Sequence, residues 1–173
     1  MISKYFQNYC HYYLSRYSVT KKKFENILKR KISKDFFQKK ISYDEKIFYE
    51  KEIKDVVECF CKKGFFNEKR LLEINIDSLL RSGKSLKKIE IFLVKNFFDK
   101  TLIKEKINNL RLNKNIDQVA MEKYLFKSGV LKKNSLTSQN DVNFEKIVKK
   151  FINQGFDYNE SINFLKSKIE KNE

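Results

Sequence analysis

Proline is absent from the 173 residues, tryptophan is absent, glycine occurs four times and histidine once. Glycine and proline punctuate sheets and tight hairpins, so their scarcity argues against an all-β chain and leaves helix as the expected state. The lone His11 lies among Tyr9, Tyr12 and Tyr13, with no nucleophile or orienting partner spaced for acid–base work. Paired Glu-x-x-His ligands of helical-bundle metal centres are also missing, so Glu50, Glu52, Glu68 and Glu73 read as solvent-facing carboxylates. Cys10, Cys59 and Cys61 are odd in number and lack disulfide-framework spacing, and the Cys59-Phe-Cys61 pair has no further ligands nearby. Without a signal peptide or a run of about 18 apolar residues, a reducing cytoplasm is the expected setting, with no membrane span, metal or cofactor. No enzyme is expected.

One stretch argues for catalysis at first sight. Ser82-Gly83-Lys84-Ser85 matches the end of a phosphate-binding loop, whose backbone amides must cradle the phosphates from a glycine five positions before the Gly-Lys pair. Ser78 stands at that position, and the preceding EINIDSLL has helical rather than strand character. The reading fails on both counts.

The charge is present in excess: 38 basic against 22 acidic residues, a net +16. Such a field attracts nucleic acid, acidic protein or an anionic surface and says nothing about fold. Only Arg16, Arg30, Arg70, Arg81 and Arg111 supply guanidinium, so the basic surface suits general electrostatic attraction better than base reading.

Four-residue apolar steps dominate the chain. Behind a Thr20 N-cap come Phe24, Leu28 and Ile32; behind Ser85 come Ile89, Leu93 and Phe97, flanked by Leu86 and Phe92; behind Asn143 come Ile147, Phe151 and Gly155. A helix precedes each: 8–18 with Tyr9 and Tyr13, 67–83 with Leu72, Ile76, Leu79 and Leu80, and 115–129 with Ile116, Val119, Met121, Leu125 and Phe126. Another follows each: 45–62 with Ile53, Val56, Val57 and Phe60, 100–111 with Leu102, Ile103, Ile107 and Leu110, and 158–170 with Ile162, Leu165 and Ile169. Ser42 with Glu45, and Asp157 with Glu160, have capping-box spacing. An all-α chain of three tandem three-helix repeats is expected, covering 1–64 with an N-terminal extension, 65–112, and 113–173. Small units of this kind share apolar surface when stacked, giving an elongated, curved body. Two interruptions stand out: 131–142 is polar and reads as a solvated loop insertion, whereas Phe36, Phe37 and Ile41 predict that 33–45 docks on the body.

Lysines sit at the first turns of two of these helices, Lys21 to Lys23 and Lys87 with Lys88, where the helix dipole disfavours cations. An anionic partner would offset that cost, and a general lysine bias accounts for the same pattern almost as well. Lys22, Lys29, Arg30, Lys87, Lys88, Lys95, Lys149 and Lys150 form an interrupted basic stripe if the repeats turn the same way. Most of the sixteen Phe lie at core spacing, and Tyr5, Tyr9, Tyr12, Tyr13 and Tyr17 are the better candidates for exposed contact.

YYLSRYSVTKKKFENILKRK (12–31), VVECFCKKGFFNEKRLLEINI (56–76) and LLRSGKSLKKIEIFLVKNFFDKTLIKEKI (79–107) together resemble the RecX family of bacterial recombinase regulators. Thr20, Phe24 and Leu28 fall on that family's first cap and core, and Gly83, Ser85, Ile89 and Leu93 on its second. Asn67 and Glu68 replace an acidic pair, and Leu71 and Leu72 an aromatic followed by alanine, which implies altered packing there. The resemblance implies a monomeric, non-enzymatic modulator of the RecA recombinase that lies in the groove of the RecA filament on single-stranded DNA. Inhibition of filament growth, strand exchange and ATP hydrolysis, and a lowered DNA-damage (SOS) response, are the expectations. Contact candidates are Arg16, Lys22, Lys23, Arg30, Arg81, Lys84, Lys87, Lys88, Lys149 and Lys150. Two alternatives remain open: a stand-alone basic helical DNA-binding protein, and a helical adaptor for an acidic protein.

Overall fold

The computed structural model describes residues 2–128 and 141–170. These form nine α-helices and no strand: α1 (Lys4–Arg16), α2 (Lys21–Phe37), α3 (Tyr43–Lys62), α4 (Glu68–Arg81), α5 (Leu86–Lys95), α6 (Lys100–Arg111), α7 (Ile116–Ser128), α8 (Asp141–Asn153) and α9 (Tyr158–Glu170). None of them is long and apolar enough to cross a membrane. Most of the predicted 131–142 insertion lies outside the described residues. Asn143 falls inside the first turn of α8 and not at its cap. The chain divides into two compact units, Met1–Leu72 with Asn96–Phe98, and Glu73–Lys95 with Asp99–Glu173.

The first unit is organised by α2 against α3. Phe24, Leu28 and Ile32 recur every four residues and are fully buried, facing Ile53, Val56, Val57 and Phe60 of α3. α1 begins at Lys4, four residues earlier than its tyrosines predict, and so turns Phe6 and Cys10 inward, leaving Tyr9 and Tyr13 only partly covered. Burial, with Glu52 adding to it, pushes the Cys10 thiol up to about 12, which keeps it protonated and unreactive at neutral pH.

Asp35 is the one carboxylate buried in this unit's described residues. It accepts from Tyr5 Oη at 2.8 Å and from Lys31 Nζ at 2.7 Å. Burial by itself would raise its pKa; the two hydrogen bonds and the charges of Lys31 and Lys40 outweigh it and hold the carboxyl below its ordinary value. Because the folded value is depressed, the stabilisation is present above the unfolded carboxylate range and is lost as pH falls through the folded value. Asp35→Asn is therefore expected to cost about 1–3 kcal/mol at neutral pH and to flatten the acid side of a stability–pH profile measured by urea denaturation.

In the second unit α7, α8 and α9 enclose a core of Ala120, Met121, Leu125, Ile147, Val148, Phe151, Phe156, Phe164 and Leu165. Phe151 is fully buried, its ring within 5.7 Å of Tyr124, 5.7 Å of Phe156 and 5.9 Å of Phe164, centroid to centroid. Val119 and Phe126, expected in the core, are 42% and 74% exposed. The Met121–Leu125 step selects a face that includes Ala120 and turns those two outward.

Helix ends account for the remaining corrections. α2, α3, α4 and α8 each stop with the residue two past the helix in the left-handed region, Lys39, Gly64, Gly83 and Gly155. In each case the next N–H reaches back to the third-last helical carbonyl: Lys40 to Asp35, Phe65 to Phe60, Lys84 to Leu79 and Phe156 to Phe151. This closure satisfies carbonyls that the helix leaves open and brings the following side chain against the last turn. Phe65 and Phe156 make that contact, 5.4 Å from Phe60 and 5.7 Å from Phe151. Phe97 is left-handed too, at φ 60°. It therefore leaves the Ile89–Leu93 ladder and is 44% exposed, while Phe98 is buried at 5%; Gly155 likewise ends its ladder and Phe156 takes the inward place. In the 33–45 stretch α2 continues to Phe37. Ile41 packs on the core, Phe36 is half-buried, and Phe37 is 83% exposed instead of docked.

Candidate functional site

Ser82-Gly83-Lys84-Ser85 turns out to be a helix stop joined directly to a helix start. Gly83 donates to Leu80 and Lys84 to Leu79, closing α4, while Ser85 Oγ accepts from Lys88 N at 3.1 Å and opens α5. Asp117 Oδ1 accepts from Leu86 N at 3.0 Å. Protein groups thus occupy the amides of Leu86, Lys88 and Ile89 at the start of α5, where a phosphate loop would present them to its ligand.

Around this turn several candidate cations gather. Ser85 N donates to the Gln154 carbonyl at 3.2 Å, and Lys84 Nζ donates to the Gln154 side-chain oxygen, so the start of α5 lies at the end of α8. Lys87 and Lys88 project exposed from the first turn of α5, Arg81 ends α4, and Lys150 lies one turn before Gln154. Positive charge near the carbonyl ends of α4 and α8 is favoured by the helix dipole, so Arg81, Lys84 and Lys150 have a structural role as well as an electrostatic one. Lys149 pairs with Glu145 at 3.9 Å.

The first unit holds the other four. Arg16 stacks over Tyr12 at 4.2 Å and donates to its hydroxyl at 2.8 Å. Lys22 pairs with Glu25 at 2.9 Å. Lys23 Nζ reaches Asn96 Oδ1 at 2.6 Å, beside the Thr20 hydroxyl, which donates to the Asn96 carbonyl at 3.0 Å. Arg30 is exposed on α2. The cationic first turn of α2 is compensated from outside the helix, because Glu68 Oε1 accepts from Lys21 N at 2.9 Å. Glu68 and Asp117 have no signature in local spacing, since each caps a helix distant in sequence. Arg30, Arg81, Lys87, Lys88 and Lys150 form no ion pair among the described residues.

His11 is exposed on α1 and lies edge-on to Phe60 at 5.0 Å and Phe65 at 6.2 Å. Among the described residues no group of three His, Cys, Asp or Glu is placed to hold a metal ion. A polar cavity of ≈ 540 Å³ lies between the α6–α7 turn and α9, but its Arg111 and Lys168 are already paired with Glu90 and Glu122. The net charge of +16 attracts anions in general through its long-range field. Comparison with protein-family models, curated protein sequences and solved structures returns no match.

Proposed function

We propose that the chain is a non-enzymatic modulator of a RecA-type recombinase, an inhibitor that lies in the groove of the recombinase filament on single-stranded DNA. The observation that carries this reading is the recurrence of one helix-turn phrase. Thr20 and Ser85 open α2 and α5 with the same hydroxyl cap. Ser42, Asp99 and Asp157 each accept backbone N–H groups at the start of α3, α6 and α9. Phe97-Phe98-Asp99 and Gly155-Phe156-Asp157 make the same turn, with a left-handed residue, a buried phenylalanine and an aspartate cap. These recurrences support grouping α1–α3, α4–α6 and α7–α9 as three tandem repeats. Each repeat would touch successive filament subunits weakly and gain strength through multivalency.

The test is a pull-down and an ATP-turnover assay with a recombinase filament on single-stranded DNA. Association and reduced turnover are expected, and neutralising Lys87, Lys88 and Lys150 together is expected to weaken both. Absence of association together with unchanged turnover refutes the proposal. The candidate cations without an ion pair among the described residues, Arg30, Arg81, Lys87, Lys88 and Lys150, also favour a second reading, a stand-alone DNA-binding protein. Tight, steeply salt-dependent binding to DNA without recombinase, and no effect on turnover, would select it.

A further inference from the structure

The end of α2 carries a surface that the basic-residue candidates do not describe. Arg30, Lys34 and Phe37 are spaced i, i+4 and i+7 and so lie along one helix face. All three are exposed, Phe37 by 83%. Arg30, Lys34 and Lys40 border a cavity of ≈ 310 Å³ that is also lined by Tyr9, Ile27, Gln38 and the Lys31–Asp35 pair. Lys40 also borders the neighbouring hollow of ≈ 500 Å³ formed with Phe36, Phe37 and Ile41, so the cationic and aromatic surfaces are continuous. Phe36 links the aromatic part together, its ring 6.2 Å from Phe37 and 6.3 Å from Tyr43, itself 62% exposed.

The local carboxylates leave this surface positive. Asp35 is held by Lys31 and Tyr5, and Glu45 accepts the Ser42 N–H at 2.7 Å. Asp44 remains exposed against Arg30, Lys34, Lys39 and Lys40, none of which forms an ion pair among the described residues. An exposed phenyl ring beside unpaired cations matches the two halves of a nucleotide, a base with a π-face and a phosphate.

We infer that this end of α2 binds single-stranded nucleic acid directly, phosphate in the Arg30–Lys34–Lys40 hollow and an unpaired base stacked on Phe37. Duplex bases are already stacked on each other and offer Phe37 nothing, so the ring gives preference for single strands while the cations do not. The inference concerns nucleic acid alone and stands whether or not a recombinase is the partner.

Fluorescence anisotropy with the full chain and labelled oligo-dT of about 16 nucleotides, without recombinase, tests it. Phe37→Ala is expected to weaken single-strand binding at least about fivefold while leaving duplex binding unchanged. Phe37→Trp is expected to restore it. A 2-aminopurine in the oligonucleotide should change its fluorescence with the natural chain and with Phe37→Trp, and not with Phe37→Ala. Arg30→Gln with Lys34→Gln should reduce the salt slope by about 0.7 for each phosphate no longer neutralised. Parallel oligo-dT and oligo-U titrations tell DNA from RNA as the natural strand. Unchanged single-strand affinity in Phe37→Ala overturns the inference, as does an equal loss for single strand and duplex. Phe37-dependent binding to anionic phosphatidylserine vesicles, with no effect on oligonucleotides, overturns it too and assigns the patch to a membrane surface.

Discussion

Gly83→Ala is expected to destabilise the second unit by about 2–5 kcal/mol, the sum of two separate penalties. The residue sits at φ +74°, a left-handed conformation that a side chain disfavours, and a Cβ there would lie 2.7 Å from Tyr124 Cβ and 2.9 Å from both Tyr124 Cα and N. The obstruction is backbone of α7, so no rotamer change relieves it; either the helix moves or the α4 stop unwinds. Gly64→Ala separates the two contributions. Gly64 has nearly the same φ, +77°, and a methyl group on its Cα would meet nothing within 4 Å, so only the conformational cost of about 1 kcal/mol remains. Urea denaturation of both variants measures the difference. Equal losses would mean that α7 does not press on this turn.

Phe151→Ala is expected to cost about 3–5 kcal/mol, through lost transfer free energy and the cavity left behind. Its ring is the common neighbour of Tyr124, Phe156 and Phe164, which come from α7, the α8–α9 turn and α9. Those three large rings cannot close the gap by small shifts without leaving their own rotamers, so little of the loss is recovered by relaxation. Phe151→Leu should cost clearly less, since most of the volume is retained. Thermal and urea unfolding check both. A loss below about 1 kcal/mol for the alanine variant would show that Phe151 is not central to this core.

The helix starts at Thr20, Ser42, Ser85, Asp99 and Asp157 are legible from sequence because each depends on near neighbours, accepting from amides two or three residues on, whereas Asn143 is not a cap and Glu68 and Asp117 reach α2 and α5 from distant segments. The ladder Phe24–Leu28–Ile32 is legible for the same reason. Helix stops are read well only where glycine marks them. Lys39 and Phe97 adopt the left-handed conformation without glycine, so nothing in their residue type warns that the periodicity breaks, and Phe97 is assigned inward when Phe98 is. Basic residues are equally easy to find and hard to rank. Lys22 and Lys87 each have a glutamate three residues on, but Glu25 pairs with Lys22 while Glu90 pairs with Arg111 of α6, which no local spacing foretells. The exposed ring of Phe37 is least legible of all, because a phenylalanine next to an amphipathic helix is expected to face inward.

The bond from Ser85 N to the Gln154 carbonyl, and the seating of Gly155 beside Ser85 and Lys88, fix a constraint on synthesis. The fifth helix emerges from the ribosome with its opening amide lacking that acceptor, and completion of this junction must wait until the eighth helix and its terminal glycine have been made. A chain cut short before Gln154 lacks the acceptor that Ser85 N uses in the full chain.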